Sequence, residues 1–259
     1  DKNIIYSGMI QDLVNCESKM YFADEYSDGI ERMNREWCLG LIARLSLFRA
    51  GYGMIKEGVM KRADEYLDVE SNDSLAVTYT LGGVTKTART SKQYYELAKD
   101  YCQYLIEKSD RPLNPNFQEI FDNESKWIKT VNDDVLYEVA FTSNNGGGDV
   151  GWCIGVSVNA SSFGSGGSYI RFPATYLYSF DEKDQRFPTT VSMVEYSSDI
   201  NQTAASFNNA SPGKWSRLLL PTSPGSTSSK STGINWPLMR YSDILLMLAE
   251  ADNEVSNGP

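Results

Sequence analysis

The sequence contains no histidine among its 259 residues. This absence excludes catalytic sites built on Ser-His-Asp or Cys-His arrangements, and metal sites built on histidine. The four cysteines, Cys16, Cys38, Cys102 and Cys153, include no CxxC pair. Because cysteine often packs as a small hydrophobic residue, we expect buried free thiols and no disulfide framework. We also expect no metal and no cofactor.

Basic residues and long apolar runs are scarce too. The chain has 24 basic and 34 acidic residues, a net charge of −10 and a pI near 4.6. That balance disfavours nucleic acid and anionic lipid as general partners. No run approaches the roughly 18 continuous apolar residues of a membrane span. The first residues lack a signal-peptide pattern and do not resemble a natural start, so we expect arbitrary ends.

Helical spacing of apolar residues is the main regular pattern. It predicts amphipathic helices over residues 3–28, over 30–52, after a cap at Ser91, and over 239–255. One apolar stripe of the second helix includes Met33, Phe48 and Tyr52, and its small residues Gly40 and Ala43 would let another helix approach closely. The last helix is apolar over more than half its circumference, so it needs several partners. These features favour helical hairpins similar to tetratricopeptide repeats, although the consensus repeat is not met.

The composition changes after residue 141. Residues 134–141 alternate as a strand, with Val135, Tyr137, Val139 and Phe141 on one side, whereas 142–235 are rich in Gly, Ser, Asn and aromatic residues. A long segment of this kind is usually functional or disordered. We therefore divide the chain into a helical scaffold (1–141), a loop-rich candidate binding region (142–235) and a final helix (236–259).

Several segments resemble the SusD/RagB family. In family order they are WCLGLIARLSLFRAGYG (37–53), residues 94–123, DVLYEVAF (134–141), FDEKDQRF (180–187) and NWPLMRYSDILLMLAEADNEV (235–255). The last is close to the family signature, from which Ser242 and Asp252 depart. The matching signature residues are Pro237, Arg240, Tyr241, Asp243, Leu245, Leu246, Met247, Ala249, Glu250, Ala251, Asn253 and Glu254.

The resemblance implies a mainly α fold, with tetratricopeptide-like hairpins in an alpha-alpha superhelix and a long loop-rich region. It implies a cell-surface lipoprotein of the outer membrane of Bacteroidetes that captures a glycan and delivers it to a SusC-like TonB-dependent transporter. Such a protein is not an enzyme. The resemblance also implies that this chain is a fragment lacking the family's N- and C-terminal parts, so that the lipid anchor would lie outside it and the missing partners of the last helix would follow residue 259.

Aromatic residues in the loop-rich region are the candidate ligand contacts. Sugar rings stack their C–H faces on aromatic rings, while amide, carboxylate and backbone groups bind the hydroxyls. Trp152 is the leading candidate, because it lies between glycine-rich loops. The full set is Trp152, Asn144, Asn145, Asp149, Phe163, Tyr169 and Trp215. For any single aromatic, the alternative is that it packs the loops onto the scaffold.

Two other patterns favour structure over chemistry. The GxGxxG-like run Gly146, Gly148, Gly151 is followed by β-rich sequence instead of the helix a dinucleotide site needs, which favours a surface loop. Asp181, Glu182 and Asp184 alternate with basic residues, which favours a salt-bridged turn involving Arg186.

Three functional alternatives remain open. Peptide capture, as in the RagB branch, would rely on main-chain hydrogen bonds. A helical-repeat adaptor would bind a protein on its helices. A glycoside hydrolase would need two facing carboxyl groups roughly 5 to 10 Å apart.

Overall fold

Helices are the main regular structure of the computed structural model, which describes residues 2–129, 134–142, 147–167, 169–227 and 230–256. The helices within these ranges are α1 Lys2–Glu17, α2 Arg35–Ala50, α3 Ser91–Lys108, α4 Phe117–Ser125, α5 Ala174–Leu177, α6 Phe187–Thr190 and α7 Tyr241–Val255. The expected mainly helical class is thus confirmed, whereas the tetratricopeptide-like superhelix stays a prediction.

The strands are short and do not form a common sheet. They are β1 Gly53–Met54, β2 Met60–Lys61, β3 Val77–Leu81, β4 Val84–Ala88, β5 Val135–Val139, β6 Ser157–Val158, β7 Val191–Ser192, β8 Val194–Tyr196, β9 Gln202–Ala204, β10 Ser211–Pro212 and β11 Trp236–Arg240. Two-stranded sheets pair β1 with β2, β3 with β4, β5 with β11 and β7 with β10. In the three-stranded sheet, β8 lies parallel to β6 and antiparallel to β9.

Two compact units divide the chain. The first contains the described residues of 1–113, 131–137 and 239–259, and the second those of 114–130 and 138–238. The first unit therefore contains the four long helices α1, α2, α3 and α7 together with β1 to β4, and the second contains α4, α5, α6 and the strands β6 to β10. These two units are defined by packing and not by function. The division into a scaffold (1–141), a candidate binding region (142–235) and a final helix (236–259) therefore stays a prediction.

Helix α3 shows the pattern expected from its sequence. Tyr94, Ala98, Tyr101 and Leu105 are all fully buried. Its N-cap, however, is Thr90, whose hydroxyl accepts a hydrogen bond from the amide of Gln93 while the Gln93 side chain accepts one from the amide of Thr90. Ser91 is the first helical residue instead, and its hydroxyl donates to Asp64 (2.7 Å).

Helix α1 is shorter than the periodicity predicts, because contacts with α2 replace helical hydrogen bonds after Glu17. The Ala23 amide donates to the Glu36 carboxylate (3.0 Å), and the Arg35 amide donates to the Tyr21 carbonyl (2.8 Å). The Glu17 carboxylate is itself paired with Arg35 (2.8 Å). Tertiary contacts thus end helix α1 at Glu17, although the helical spacing of apolar residues continues beyond it in the sequence.

Helix α2 approaches β11 and α7 closely at Gly40, which agrees with the close approach expected at this small residue. A Cβ atom at Gly40 would overlap Sδ of Met239 and lie 2.9 Å from Cδ1 of Ile244. The predicted apolar stripe is wrong at its ends, since Met33, Phe48 and Tyr52 are each more than half exposed.

The family-like signature segment is held by a buried carboxylate. Asp134 accepts hydrogen bonds from the Ser242 amide (3.1 Å), from Arg240 Nη1 (2.5 Å) and, through its backbone oxygen, from the Tyr241 amide (2.6 Å). The Tyr241 hydroxyl donates to Asp110 (2.7 Å). Arg240 and Tyr241 therefore fix where α7 begins, which is a structural role.

Candidate functional site

The leading candidate, Trp152, lies in a tight turn of the second unit. The amides of Trp152 and Cys153 both donate to the Asp149 carbonyl (3.0 and 2.9 Å), and the Gly151 amide donates to the Ile154 carbonyl (2.7 Å). Gly151 has a φ of 75°, which is costly for residues with a Cβ atom. No helix begins within residues 151–160, so the GxGxxG-like run lacks the element that a dinucleotide site needs.

A backbone hydrogen bond brings a second predicted residue to Trp152. The Tyr169 amide donates to the Cys153 carbonyl (2.7 Å). The two rings meet at a centroid distance of 5.3 Å and an interplanar angle of 82°. Tyr169 is 70% exposed and Trp152 is half-buried, so the pair presents aromatic surface to solvent. We call Trp152 and Tyr169 the aromatic pair.

Charged groups border the aromatic pair. Lys230 Nζ lies 4.6 Å from the centre of the Trp152 ring and 3.1 Å from Asp149 Oδ1. Both side chains of this ion pair are about half exposed, so it contributes little stability. Lys230 was not singled out in the sequence, because only the folded chain places it above a residue about 80 positions away.

Buried groups of the same unit hold the surrounding loops in place. Arg217 is fully buried and donates from Nε to the Phe163 carbonyl (2.9 Å) and from Nη1 to the Ser165 carbonyl. Burial lowers the pKa of its guanidinium to about 10. The Thr232 hydroxyl donates to the Val150 carbonyl (2.6 Å). The loops around the aromatic pair are therefore held in place by hydrogen bonds to buried side chains of the second unit.

Close backbone packing adds to this support. A Cβ atom at Gly166 would lie 2.5 Å from the carbonyl oxygen of Gly151. The glycine-rich composition of this region thus reflects loops that approach each other closely.

The other predicted site residues are placed differently. Asn144 and Asn145 lie outside the described residues. Phe163 is half-buried, and its carbonyl binds Arg217. Trp215 is only 6% exposed: its indole N–H donates to Glu124 (2.6 Å), and its ring stacks on Trp236 at 4.8 Å. These are the contacts of a core residue, so a ligand-binding role for Trp215 stays an unsupported prediction.

The second unit also contains a groove that the sequence did not indicate. Its volume is about 630 Å³, with an apolar wall that includes Phe187, Met193 and Leu218 and polar groups that include Gln118 and Tyr196. These residues come from segments about 100 positions apart, so no local pattern could indicate the groove.

The remaining predicted features are structural. Arg186 donates from Nε and Nη2 to both carboxylate oxygens of Asp184, which confirms the salt-bridged turn. Among the described residues no group of three or more Cys, Asp or Glu side chains is arranged to hold a metal ion. Within those same residues, no helix is both long and apolar enough to cross a membrane. Cys38 and Cys102 are buried as expected, but Cys16 is exposed and Cys153 is half-buried.

A family model and several solved structures resemble this chain. Residues 158–259 match the model of the SusD family. A search of curated proteins found no match. Among solved structures, a SusD homologue from Bacteroides thetaiotaomicron is 18% identical, with a TM-score of 0.73 over 98% of this chain and 48% of its own.

Two further structures share the fold. A SusD superfamily protein from Parabacteroides distasonis is 18% identical, with a TM-score of 0.63 over 100% of this chain and 47% of its own. The surface glycan-binding protein A from Bacteroides uniformis is 13% identical, with a TM-score of 0.54 over 98% and 46%. The chain therefore spans about half the length of the solved structures it matches.

Proposed function

We propose that this chain, whose residues 158–259 match the model of the SusD family, is part of a non-catalytic protein that captures a glycan at the cell surface. The observation that carries the proposal is the aromatic pair, in which an exposed Tyr169 and a half-buried Trp152 lie side by side on supported loops. A likeness of fold to a surface glycan-binding protein supports the same ligand class.

Binding at the aromatic pair would combine stacking with hydrogen bonds. The C–H face of a sugar ring stacks on Trp152, and Tyr169 extends the contact with its exposed ring. Lys230 lies over one face of Trp152, so a sugar on that face takes its place. Breaking the exposed Lys230–Asp149 ion pair costs little, and the ammonium and carboxylate groups can then bind sugar hydroxyl groups.

The whole protein would deliver its ligand to a partner. We propose that it is lipid-anchored in the outer membrane and acts with a SusC-like TonB-dependent transporter. Its helices would form a tetratricopeptide-like scaffold for the loops that carry the aromatic pair. This part of the proposal rests on the match to the SusD family model and on the likeness of fold to SusD homologues.

Peptide capture is a second candidate, favoured by one observation. Strand β9 lies at an edge of its three-stranded sheet, and all three of its residues are exposed. An extended peptide could add to such an edge through main-chain hydrogen bonds. A peptide bound there would not depend on Trp152, so the two candidates are separable by mutation.

Affinity electrophoresis against a panel of polysaccharides tests the proposal. We expect one glycan to retard the wild-type chain, and Trp152→Ala to abolish most of the retardation. Loss of a central aromatic anchor costs about 2 kcal/mol, so the Kd should rise roughly 30-fold. Tyr169→Ala should weaken binding to a smaller extent.

A matched control is available in the first unit. Tyr21 is 59% exposed and meets Tyr26 edge-on at 5.7 Å, much as Tyr169 meets Trp152. Tyr21→Ala should leave retardation unchanged. Equal retardation of the Trp152→Ala variant and the wild type would refute the site, and retardation by no glycan would favour the peptide candidate.

A further inference from the structure

Two cysteine thiols meet where α1 and α2 pack together. Cys16 is exposed in the last turn of α1, and Cys38 is buried in the first turn of α2. Both thiols are directed at one acceptor, the Leu13 carbonyl oxygen, with sulfur-to-oxygen distances of 3.3 Å for Cys16 and 3.8 Å for Cys38. The two sulfur atoms are therefore neighbours across the helix pair.

An ion pair fixes the two helix ends at this point. Arg35 donates from Nε (2.9 Å) to the carboxylate of Glu17, and its Nη2 lies 2.8 Å from the same oxygen. Glu17 follows Cys16 directly, and Arg35 lies about one turn before Cys38. Both partners of the ion pair are largely buried, so the contact is little screened by solvent.

We propose that Cys16 and Cys38 form a disulfide that links α1 to α2 when the protein meets a low-molecular-weight disulfide oxidant. Extracellular surroundings favour such bonds. The inference concerns the scaffold of the first unit and holds whether or not the aromatic pair binds a glycan.

The chemistry is a pair of thiol–disulfide exchanges. The exposed Cys16, as thiolate, attacks one sulfur of oxidised glutathione, and a glutathione thiolate leaves with the electron pair of the broken bond. Cys38, as thiolate, then attacks Sγ of Cys16 in this mixed disulfide and displaces the second glutathione thiolate. Two protein thiols are oxidised, one glutathione disulfide is reduced to two thiols, and the two protein thiol protons pass to the solvent and the leaving thiolates.

The surroundings set the order of these steps. Burial raises the pKa of Cys38 to about 12, and the neighbouring Cys16 thiol adds to the effect. Cys38 is therefore rarely a thiolate at neutral pH, and its attack should be the slower step and should accelerate as the pH rises. Of the other two thiols, Cys102 is buried in α3 and Cys153 belongs to the second unit.

The test uses the full chain, reduced, freed of reductant and then treated with oxidised glutathione. Peptide mapping by mass spectrometry without reduction should find a peptide pair joined through Cys16 and Cys38. The number of free thiols in denaturant should fall from four to two. Cys16 remaining as a stable glutathione adduct, or all four thiols remaining free, would overturn the proposal.

Two variants keep the result specific. Cys16→Ser should abolish the joined peptide, whereas Cys153→Ser should leave it in place. The oxidised wild-type chain should melt roughly 5 to 10 °C above the reduced chain, because the bond closes a loop of about 20 residues. This difference should vanish in Cys16→Ser. A joined chain that melts below the reduced one would show that the native helix pair cannot accommodate the bond, and would overturn the proposal.

Discussion

The same substitution, glycine to alanine, should have different effects at two helical positions of the first unit. At Gly40 in α2, an added Cβ would overlap Sδ of Met239 and lie 2.9 Å from Cδ1 of Ile244. Both neighbours are buried and have little room to move. At Gly8 in α1, no atom lies within 4 Å of an added Cβ. Gly8→Ala is therefore a matched control for Gly40→Ala.

The expected magnitudes follow from two terms. In a helix interior alanine is favoured over glycine by about 0.8 to 1.0 kcal/mol, and this gain applies at both positions. Overpacking of a filled core costs about 1 to 3 kcal/mol, and this cost applies only at Gly40. Gly8→Ala should stabilise the first unit by about 1 kcal/mol, whereas Gly40→Ala should be neutral or destabilise it by up to about 2 kcal/mol.

Chemical denaturation followed by far-UV circular dichroism measures the difference, because the long helices α1, α2, α3 and α7 belong to this unit. A cycle with Met239→Ala adds a direct check. Removing Cγ, Sδ and Cε of Met239 should cost less in the Gly40→Ala background than in the wild type, with a coupling of about 0.5 to 3 kcal/mol. If Gly40→Ala stabilises the protein as much as Gly8→Ala does, the close packing of α2 on Met239 is refuted.

Two further predictions concern charged groups. Glu36 and Arg111 form a buried ion pair (2.8 Å), so Glu36→Ala should lower the free energy of unfolding by about 3 to 5 kcal/mol, because it removes the buried carboxylate that binds both the Arg111 guanidinium and the Ala23 amide. Urea denaturation measures this, and a loss below about 1 kcal/mol would contradict it. Hydrogen bonds from the side chain and amide of Arg186 lower the pKa of the Asp184 carboxyl to about 2. The stabilising contribution of Asp184 is therefore present above the ordinary aspartate pKa and is lost as the pH falls towards 2. NMR titration should find the low pKa of Asp184 in the wild type and a higher pKa in Arg186→Ala. An unchanged pKa of Asp184 in the variant would contradict the assigned cause.

Much of the helical scaffold was predictable because its determinants are local. The buried face of α3 follows from apolar residues three and four positions apart, and these residues are buried as predicted. The small size of Gly40 likewise predicts a close contact with another element, although it does not identify Met239 and Ile244 as the neighbours. Family-like segments were recognisable for a related reason, since each is a continuous run.

The residues at which α1 ends and α7 begins depend on hydrogen bonds to residues far away in the sequence. Helix α1 ends at Glu17 although its apolar period continues, because Ala23 and Tyr21 bond to residues of α2. Asp134, more than 100 positions away, holds the start of α7. Hydrogen bonds of this kind leave no periodic signal, which is why the sequence predicts the presence of these helices better than it predicts where they begin and end.

The candidate site shows the same division. The sequence by itself determined the composition of the loop-rich region and the choice of Trp152 and Tyr169 as candidate ligand contacts. It also excluded catalytic and metal sites built on histidine. Only the tertiary structure decided that these two rings meet, that Lys230 lies above Trp152, and that Trp215 is buried. The physical reason is that residue type sets what a side chain can bind, whereas exposure and proximity depend on hydrogen bonds and packing between residues far apart in the chain.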